Sequence, residues 1–233
     1  MLAKVRDPAA WTYLLKGYGF AVPKLIVPGG KPPRGGEWMR KPLASAGGLG
    51  VRRATSVDLF SITDPDCGFA LQQFIPGRAM SAYFSPDFVG VSEQLIGEPW
   101  LHAKPFAYCG SIRASVPTAR IQLLGRALTE WAGLSGSWGF DFILRGRTPV
   151  PVEINPRYTA SAELYETDIG AKAVYYAPQR IEFPDSTWPD CADIPAAGSV
   201  IEPGYPVLTL FAADRRGLQQ RAAEFDRRFG VPR

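Results

Sequence analysis

Two carboxylates and an amide in the stretch Trp138 to Arg157 are spaced as ligands for a hard cation. Phe140, Phe142 and Leu144 alternate with Asp141 and Ile143, and Val150, Val152 and Ile154 alternate with Pro151, Glu153 and Asn155. This is the period-two pattern of paired strands. Arg145 to Pro149 reads as the reversing loop. A hairpin centred on Arg147 sets Asp141 opposite Glu153, and Asn155 shares their face because strand side chains two apart point the same way. Like charges directly opposite destabilise a sheet, so something positive is expected between them. Two carboxylates and a neutral amide, without sulfur or imidazole, suit a magnesium ion that keeps waters and phosphate oxygens as its other ligands. On the hairpin alone, a solvent-facing polar edge of an antiparallel sheet explains the pattern equally well. Asn155-Pro156-Arg157 tilts the balance toward a site, since Arg157 has the fork that bridges a phosphate to a carboxylate.

A second candidate lies upstream. Trp38 to Pro42 reads as a strand ending at Lys41-Pro42, and Ser45-Ala46-Gly47-Gly48-Leu49-Gly50-Val51 follows. Clustered glycines let backbone N–H groups turn inward as an anion nest, and Lys41 adds a point charge. The same glycines also suit a plain turn. Lys41 precedes them, so neither the P-loop nor the dinucleotide fingerprint is matched. Phe69 to Ile75 is a strand candidate carrying Gln72 and Gln73, which need partners if buried. Two readings stay open: an edge strand, or an adenine edge read by an amide and backbone groups.

The elements that must position these residues are mostly short. The 233 residues allow one large or two small domains, and 46% hydrophobic with 21% charged is ordinary for a globular chain. A net charge of +4 with scattered basic residues favours an anionic ligand over a nucleic-acid groove. No 18-residue apolar run or leader pattern is present, so no membrane partner is expected. Cys67, Cys109 and Cys191 are odd in number and far apart, which points to a reducing, cytoplasmic setting without disulfide or zinc. The single histidine, His102, stands near no nucleophile motif and reads as a partly exposed loop residue.

Asp7 to Tyr18 reads as a helix capped by Asp7, with Trp11, Leu14, Leu15 and Tyr18 on one stripe. Residues 28–36 are a loop of Gly and Pro, and residues 56–62 a short helix or turn. Met80 to Phe84, Phe88 to Leu95 and Ala107 to Val116 are strand candidates, together suggesting an antiparallel sheet rather than βαβ units. Pro117 to Leu134 is the clearest helix, with Ile121, Leu124, Leu128 and Trp131 on its apolar stripe. Thr159 to Glu166 suggests a helix whose N-terminus faces the site, residues 184–204 a Pro- and Asp-rich loop, and Val207 to Ala212 a last strand. Asp214 caps a final helix with Leu218, Ala222, Phe225 and Phe229 on one face.

Taken in order, Lys41-Pro42 with Ser45 to Gly50, Gln72-Gln73-Phe74-Ile75-Pro76-Gly77, Gly139-Phe140-Asp141-Phe142 and Glu153-Ile154-Asn155-Pro156-Arg157 resemble the ATP-grasp superfamily, nearest its carboxylate–amine ligase branch. The resemblance implies an α+β fold in which two subdomains with antiparallel sheets sandwich ATP. It divides the chain into an N-terminal helix and linker at 1–36, a small subdomain at 37–76 and a large one at 77–233. Lys41, Ser45 and the backbone of Gly47 and Gly48 would hold phosphates. Gln72 with the backbone of Gln73 and Ile75 would hold adenine, Asp141, Glu153 and Asn155 would hold magnesium or manganese, and Arg157 would steady the transferring phosphoryl group. Arg113, Tyr158 and Ser161 are candidate contacts for the small-molecule carboxylate and amine substrates.

The activity so implied is an ADP-forming ligase working through an acylphosphate, with a non-catalytic ATP-binding module as the alternative. Arg78-Ala79 follows Gly77 where the family often has an acidic ribose ligand, and Lys4 and Arg6 stand near where a second phosphate-binding lysine is common. The family's preceding N-terminal domain would lie before residue 1, which leaves three expectations open: the chain is a truncated form, a second copy or a partner chain supplies that surface, or the chain is catalytically degenerate.

Overall fold

The computed structural model describes residues 2–44, 48, 50–167, 169–184 and 188–231. The chain packs as two compact units, Met1–Val91 with Ser115–Thr159, and Ser92–Ala114 with Ala160–Arg233. The first opens with helices α1 (Leu2–Arg6) and α2 (Pro8–Gly17), then strands β1 (Leu25–Ile26), β2 (Trp38–Pro42) and β3 (Arg52–Arg53). Helix α3 (Ser56–Ser61) and strands β4 (Phe69–Gln73) and β5 (Arg78–Phe84) follow. The boundary between the units falls within β6 (Phe88–Ile96). After β7 (Tyr108–Arg113) the first unit resumes with α4 (Ala119–Ala132), β8 (Trp138–Arg145) and β9 (Thr148–Asn155). The second unit continues with α5 (Glu163–Glu166), β10 (Ala171–Tyr176), β11 (Ile181–Glu182), β12 (Cys191–Ala192), β13 (Val200–Ile201), β14 (Pro206–Ala212) and α6 (Arg215–Arg228).

Every described strand pairing is antiparallel, which makes the fold α+β as the strand pattern suggested. The first unit holds a four-stranded sheet in the order β1-β4-β2-β3, and β5-β8-β9 side by side. β9 is an edge strand, which accommodates Pro149 and Pro151, since proline cannot donate to a ladder on both sides. Ile121, Leu124 and Leu128 of α4 are fully buried, while Trp131 is only half-buried beneath the Lys4 ammonium. Gly125 lies against Phe84: a Cβ there would sit 2.3 Å from the ring. Phe84 in turn stacks on Trp138 with centroids 4.4 Å apart.

In the second unit α6 buries Leu218, Ala222 and Phe225, and Asp214 caps it by accepting from the Gly217 N–H at 2.8 Å. Tyr175, Trp188 and Phe229 complete that core.

Several sequence expectations change. Tyr18 is exposed, because α2 ends one residue before it and its side chain leaves the apolar stripe. Only Glu163–Glu166 of the 159–166 segment is helical, without a side-chain cap. The 184–204 segment contributes the short strands β12 and β13. Strand β10 carries a buried lysine among small residues, so no period-two signal announced it. His102 caps a single 3-10 turn in left-handed backbone (φ 56°), and its Nε2 lies 2.8 Å from Asp226, which also accepts from the Tyr175 hydroxyl. Among the described residues no helix is long and apolar enough to cross a membrane.

Candidate metal and phosphate site

The β8–β9 hairpin turns through Gly146 and Arg147, since Arg145 pairs with Thr148. Gly146 has φ 60°, the left-handed value that glycine adopts freely at the first central position of a hairpin turn. The turn is therefore centred one half-step before Arg147, and its register runs unbroken to Phe142 opposite Pro151. It then shifts between Phe142 and Asp141, leaving Val152 as a bulge. Beyond the bulge Asp141 is paired with Glu153, and Gly139 with Asn155. Asn155 Nδ2 donates to Asp141 Oδ2 at 3.2 Å, so these two side chains meet, with Glu153 paired across from Asp141. Glu153 is exposed, while Asp141 and Asn155 are half-buried.

The bulge explains what reaches the carboxylates. A bulged residue drops out of the ladder, so its carbonyl needs another donor. The Val152 carbonyl accepts from Lys41 Nζ at 3.1 Å and from Gln72 Nε2 at 3.2 Å. Lys41 and Gln72 share a face of the four-stranded sheet, because Met39 pairs with Gln72 and Lys41 with Ala70. Burial pushes the Lys41 ammonium below its ordinary 10.5, against the pull of Glu153 and Asp141, which favour its charge. Lys41 is thus a positive group whose charge both carboxylates favour, held on the Val152 carbonyl of the same hairpin. Gln72 is buried in β4, between β1 and β2, so the edge-strand reading of this pair does not hold. Val152 escaped the sequence reading because its contribution is a backbone carbonyl.

The other candidates are placed as follows. Gly48 (φ 79°) and Gly50 (φ 73°) both use left-handed backbone, and the Val51 N–H donates to the Gly48 carbonyl at 3.1 Å. Ser45 and Gly47 lie outside the described residues. The Gln73 N–H donates to the Lys24 carbonyl at 2.8 Å, and Ile75 is half-buried. Arg157 is exposed, with Nη1 on the Tyr158 carbonyl at 3.0 Å, and Tyr158 stands edge-on to Tyr83. Arg113 and Ser161 belong to the second unit, where Arg113 Nε donates to the Leu164 carbonyl at 2.7 Å and Ser161 is buried.

Among the described residues no three His, Cys, Asp or Glu side chains gather as a metal cluster. The hairpin donor set is two carboxylates and an amide, which fits a hard ion that leaves most of its sphere to water and phosphate.

A family model described as an ATP-grasp domain matches residues 7–161. The chain belongs to the ATP-grasp family. The first unit's candidate residues from Lys41 to Tyr158 fall inside the ATP-grasp match, while Lys4 and Arg6 precede it. An uncharacterised protein of Methanocaldococcus jannaschii is 24% identical over 187 residues, 67% of this chain and 47% of the relative, so the chain spans about half the length of that curated relative. Among solved structures, a carboxyaminoimidazole ribonucleotide synthase from Aspergillus clavatus, complexed with ATP, aligns with TM-score 0.65 at 12% identity over 97% of this chain and 74% of its own. An L-amino acid ligase from Bacillus licheniformis aligns with the same TM-score and identity over 97% and 71%. At such identities the likeness shows the ATP-grasp fold.

Proposed function

We propose that this protein is an ATP- and magnesium-dependent ligase that joins a carboxylate to an amine. The observation that carries the reading is the convergence of Asp141, Glu153 and Asn155 on one hairpin face, with the Lys41 ammonium held beside them by the Val152 carbonyl. Solved structures of similar fold include a synthase complexed with ATP and an amino-acid ligase, which supports the choice of reaction class.

Lys41 and the N–H groups around Gly48 hold the polyphosphate, with Ser45 and Gly47 assigned alongside them. Gln72 and the backbone at Gln73 and Ile75 hold adenine. Asp141, Glu153 and Asn155 hold magnesium or manganese, which neutralises phosphate charge when bound. Arg157 swings from its backbone partner to the γ-phosphoryl group. A substrate carboxylate oxygen forms a bond to the γ-phosphorus as the bond to ADP breaks. The amine nitrogen then attacks the acyl carbon, phosphate leaves with the C–O bond electrons, and the nitrogen loses a proton. Positioning and charge neutralisation carry such a step, so no histidine is required. Tyr158 is the candidate substrate contact on the unit that carries the hairpin. The compartment assigned is the cytoplasm, where three free cysteines stay reduced.

The test is phosphate release from ATP and magnesium across a panel of amino acids and other small acids, with and without amines. Release that depends on one acid, with an amide product by mass spectrometry, is the expected result. ATP binding without release from any pair favours the non-catalytic alternative.

A further inference from the structure

The stem that carries Lys41 contains more positive charge than a strand pair tolerates unaided. β2 and β3 pair through Met39–Arg53 and Arg40–Arg52, so two guanidinium groups lie directly across from each other. Lys41 adjoins the first and Arg53 the second. Like charges at facing positions destabilise a sheet, and β3 is only two residues long, so backbone pairing alone holds it weakly.

Asp58 answers this from one side. Its carboxylate takes the Arg52 fork at 2.6 and 2.8 Å and Arg40 Nε at 3.3 Å. It also accepts from the Thr55 N–H at 2.8 Å and the Thr55 hydroxyl at 2.7 Å, within a capping box at the start of α3. Its side chain is only 7% exposed. Arg40 further lies 4.4 Å from the Phe69 ring centroid, which fixes its orientation. Because neighbouring strand residues point to opposite faces, gripping Arg40 on the α3 side fixes the strand whose next residue, Lys41, reaches the Val152 carbonyl on the other.

We propose that Asp58 is the positioning residue for Lys41: by clasping Arg40 and Arg52 it locks the β2–β3 stem in register and leaves Lys41 as the cation presented to phosphate. The second half of this inference rests on the phosphate-binding reading of Lys41; the clasp does not. Burial opposes ionisation of Asp58, yet the Arg52 and Thr55 hydrogen bonds outweigh it and bring the carboxyl down to about 2, as a working anion requires.

Two measurements on the full chain separate the halves. In hydrogen–deuterium exchange without nucleotide, Asp58→Asn is expected to speed exchange of peptides covering β2 and β3 by about fivefold or more, with peptides from β8 and β9 unchanged. Unchanged exchange in the stem overturns the proposal. By calorimetric titration, Asp58→Asn is expected to weaken ATP–magnesium by about tenfold and leave adenosine affinity alone. An equal loss for both ligands marks a merely structural role and overturns the positioning claim. If wild type binds no ATP, the phosphate reading of Lys41 fails, and exchange decides the clasp by itself. Arg52→Lys, which keeps the charge but loses the fork, gives the same comparison should Asp58→Asn not fold.

Discussion

Asp141 and Glu153 face each other across a hairpin whose turn, followed without interruption, would have set them one residue out of register. The bulge at Val152 restores the pairing, and in doing so frees the carbonyl that holds Lys41 and Gln72. One inserted residue therefore serves both parts of the site, since it opposes the carboxylates and anchors the cation near them.

If these carboxylates hold the metal, Asp141→Asn with Glu153→Gln removes magnesium-dependent ATP affinity. The fold should persist, because both side chains are at least partly exposed and neutralising them also removes a like-charge pair. Calorimetry with ATP in the presence and absence of magnesium checks the first point. A melting temperature within about 5 °C of wild type checks the second. Undiminished affinity in the double mutant removes the metal assignment.

The facing of Asp141 and Glu153 was legible in the sequence, but for an incomplete reason. A centre on Arg147 gives the right pair, whereas the chain reaches it by a tighter turn and a bulge, a combination that alternation alone cannot distinguish. The α4 stripe of Ile121, Leu124 and Leu128 was legible because its burial follows the helical period. β10 was not, since Lys172 is buried in it and pairs with Glu163 at 2.6 Å, a compensation that lies nine residues away and leaves no periodic trace. The Asp58 clasp had a signal that went unread, the Thr55-x-x-Asp58 capping pattern.

Gly139 sits opposite Asn155, and its missing side chain is what lets β8 lie close to its surroundings. A Cβ there would be 2.6 Å from the Ala82 carbonyl oxygen and 2.8 Å from Thr159 Cγ2. Backbone cannot yield as a flexible side-chain tip can, so Gly139→Ala should cost about 1–3 kcal/mol. Thermal unfolding should show a drop of about 2–4 °C for each kcal/mol in a chain of this size. A melting temperature equal to wild type would show that β8 shifts freely, and that Asn155 is not held where the metal reading needs it.

Lys41 should be a liability to the unliganded fold. Its folded pKa lies below 10.5, so between the two values the unfolded chain binds more protons than the native one, and stability rises with pH across that window. Lys41→Met removes this term. The variant should therefore gain stability relative to wild type near neutral pH, with the gain shrinking as pH climbs toward 10.5, while ATP affinity is lost. Chemical denaturation at pH 7 and at pH 10 measures the difference. A constant difference at both pH values would contradict the burial of the ammonium.

Asp58 carries the opposite pH signature. Its carboxyl titrates at about 2 in the fold against an ordinary 3.8, so its contribution is complete above 3.8 and disappears as pH falls through 2. The direction follows from charge: above that window the native state holds the anion between Arg40 and Arg52, and within it the unfolded chain takes up the proton first. A shift of this size corresponds to about 2 kcal/mol. Asp58→Asn should therefore be less stable than wild type by that order near pH 6, and the gap should narrow between pH 4 and pH 2. Because Arg52 is about half exposed, water replaces part of what it loses, so the deficit should stay below the 3–5 kcal/mol typical of breaking a fully buried pair. Denaturant unfolding of both proteins at pH 6, 4 and 3 measures the gap, and a gap that does not narrow with acid would place the Asp58 effect in packing rather than in charge.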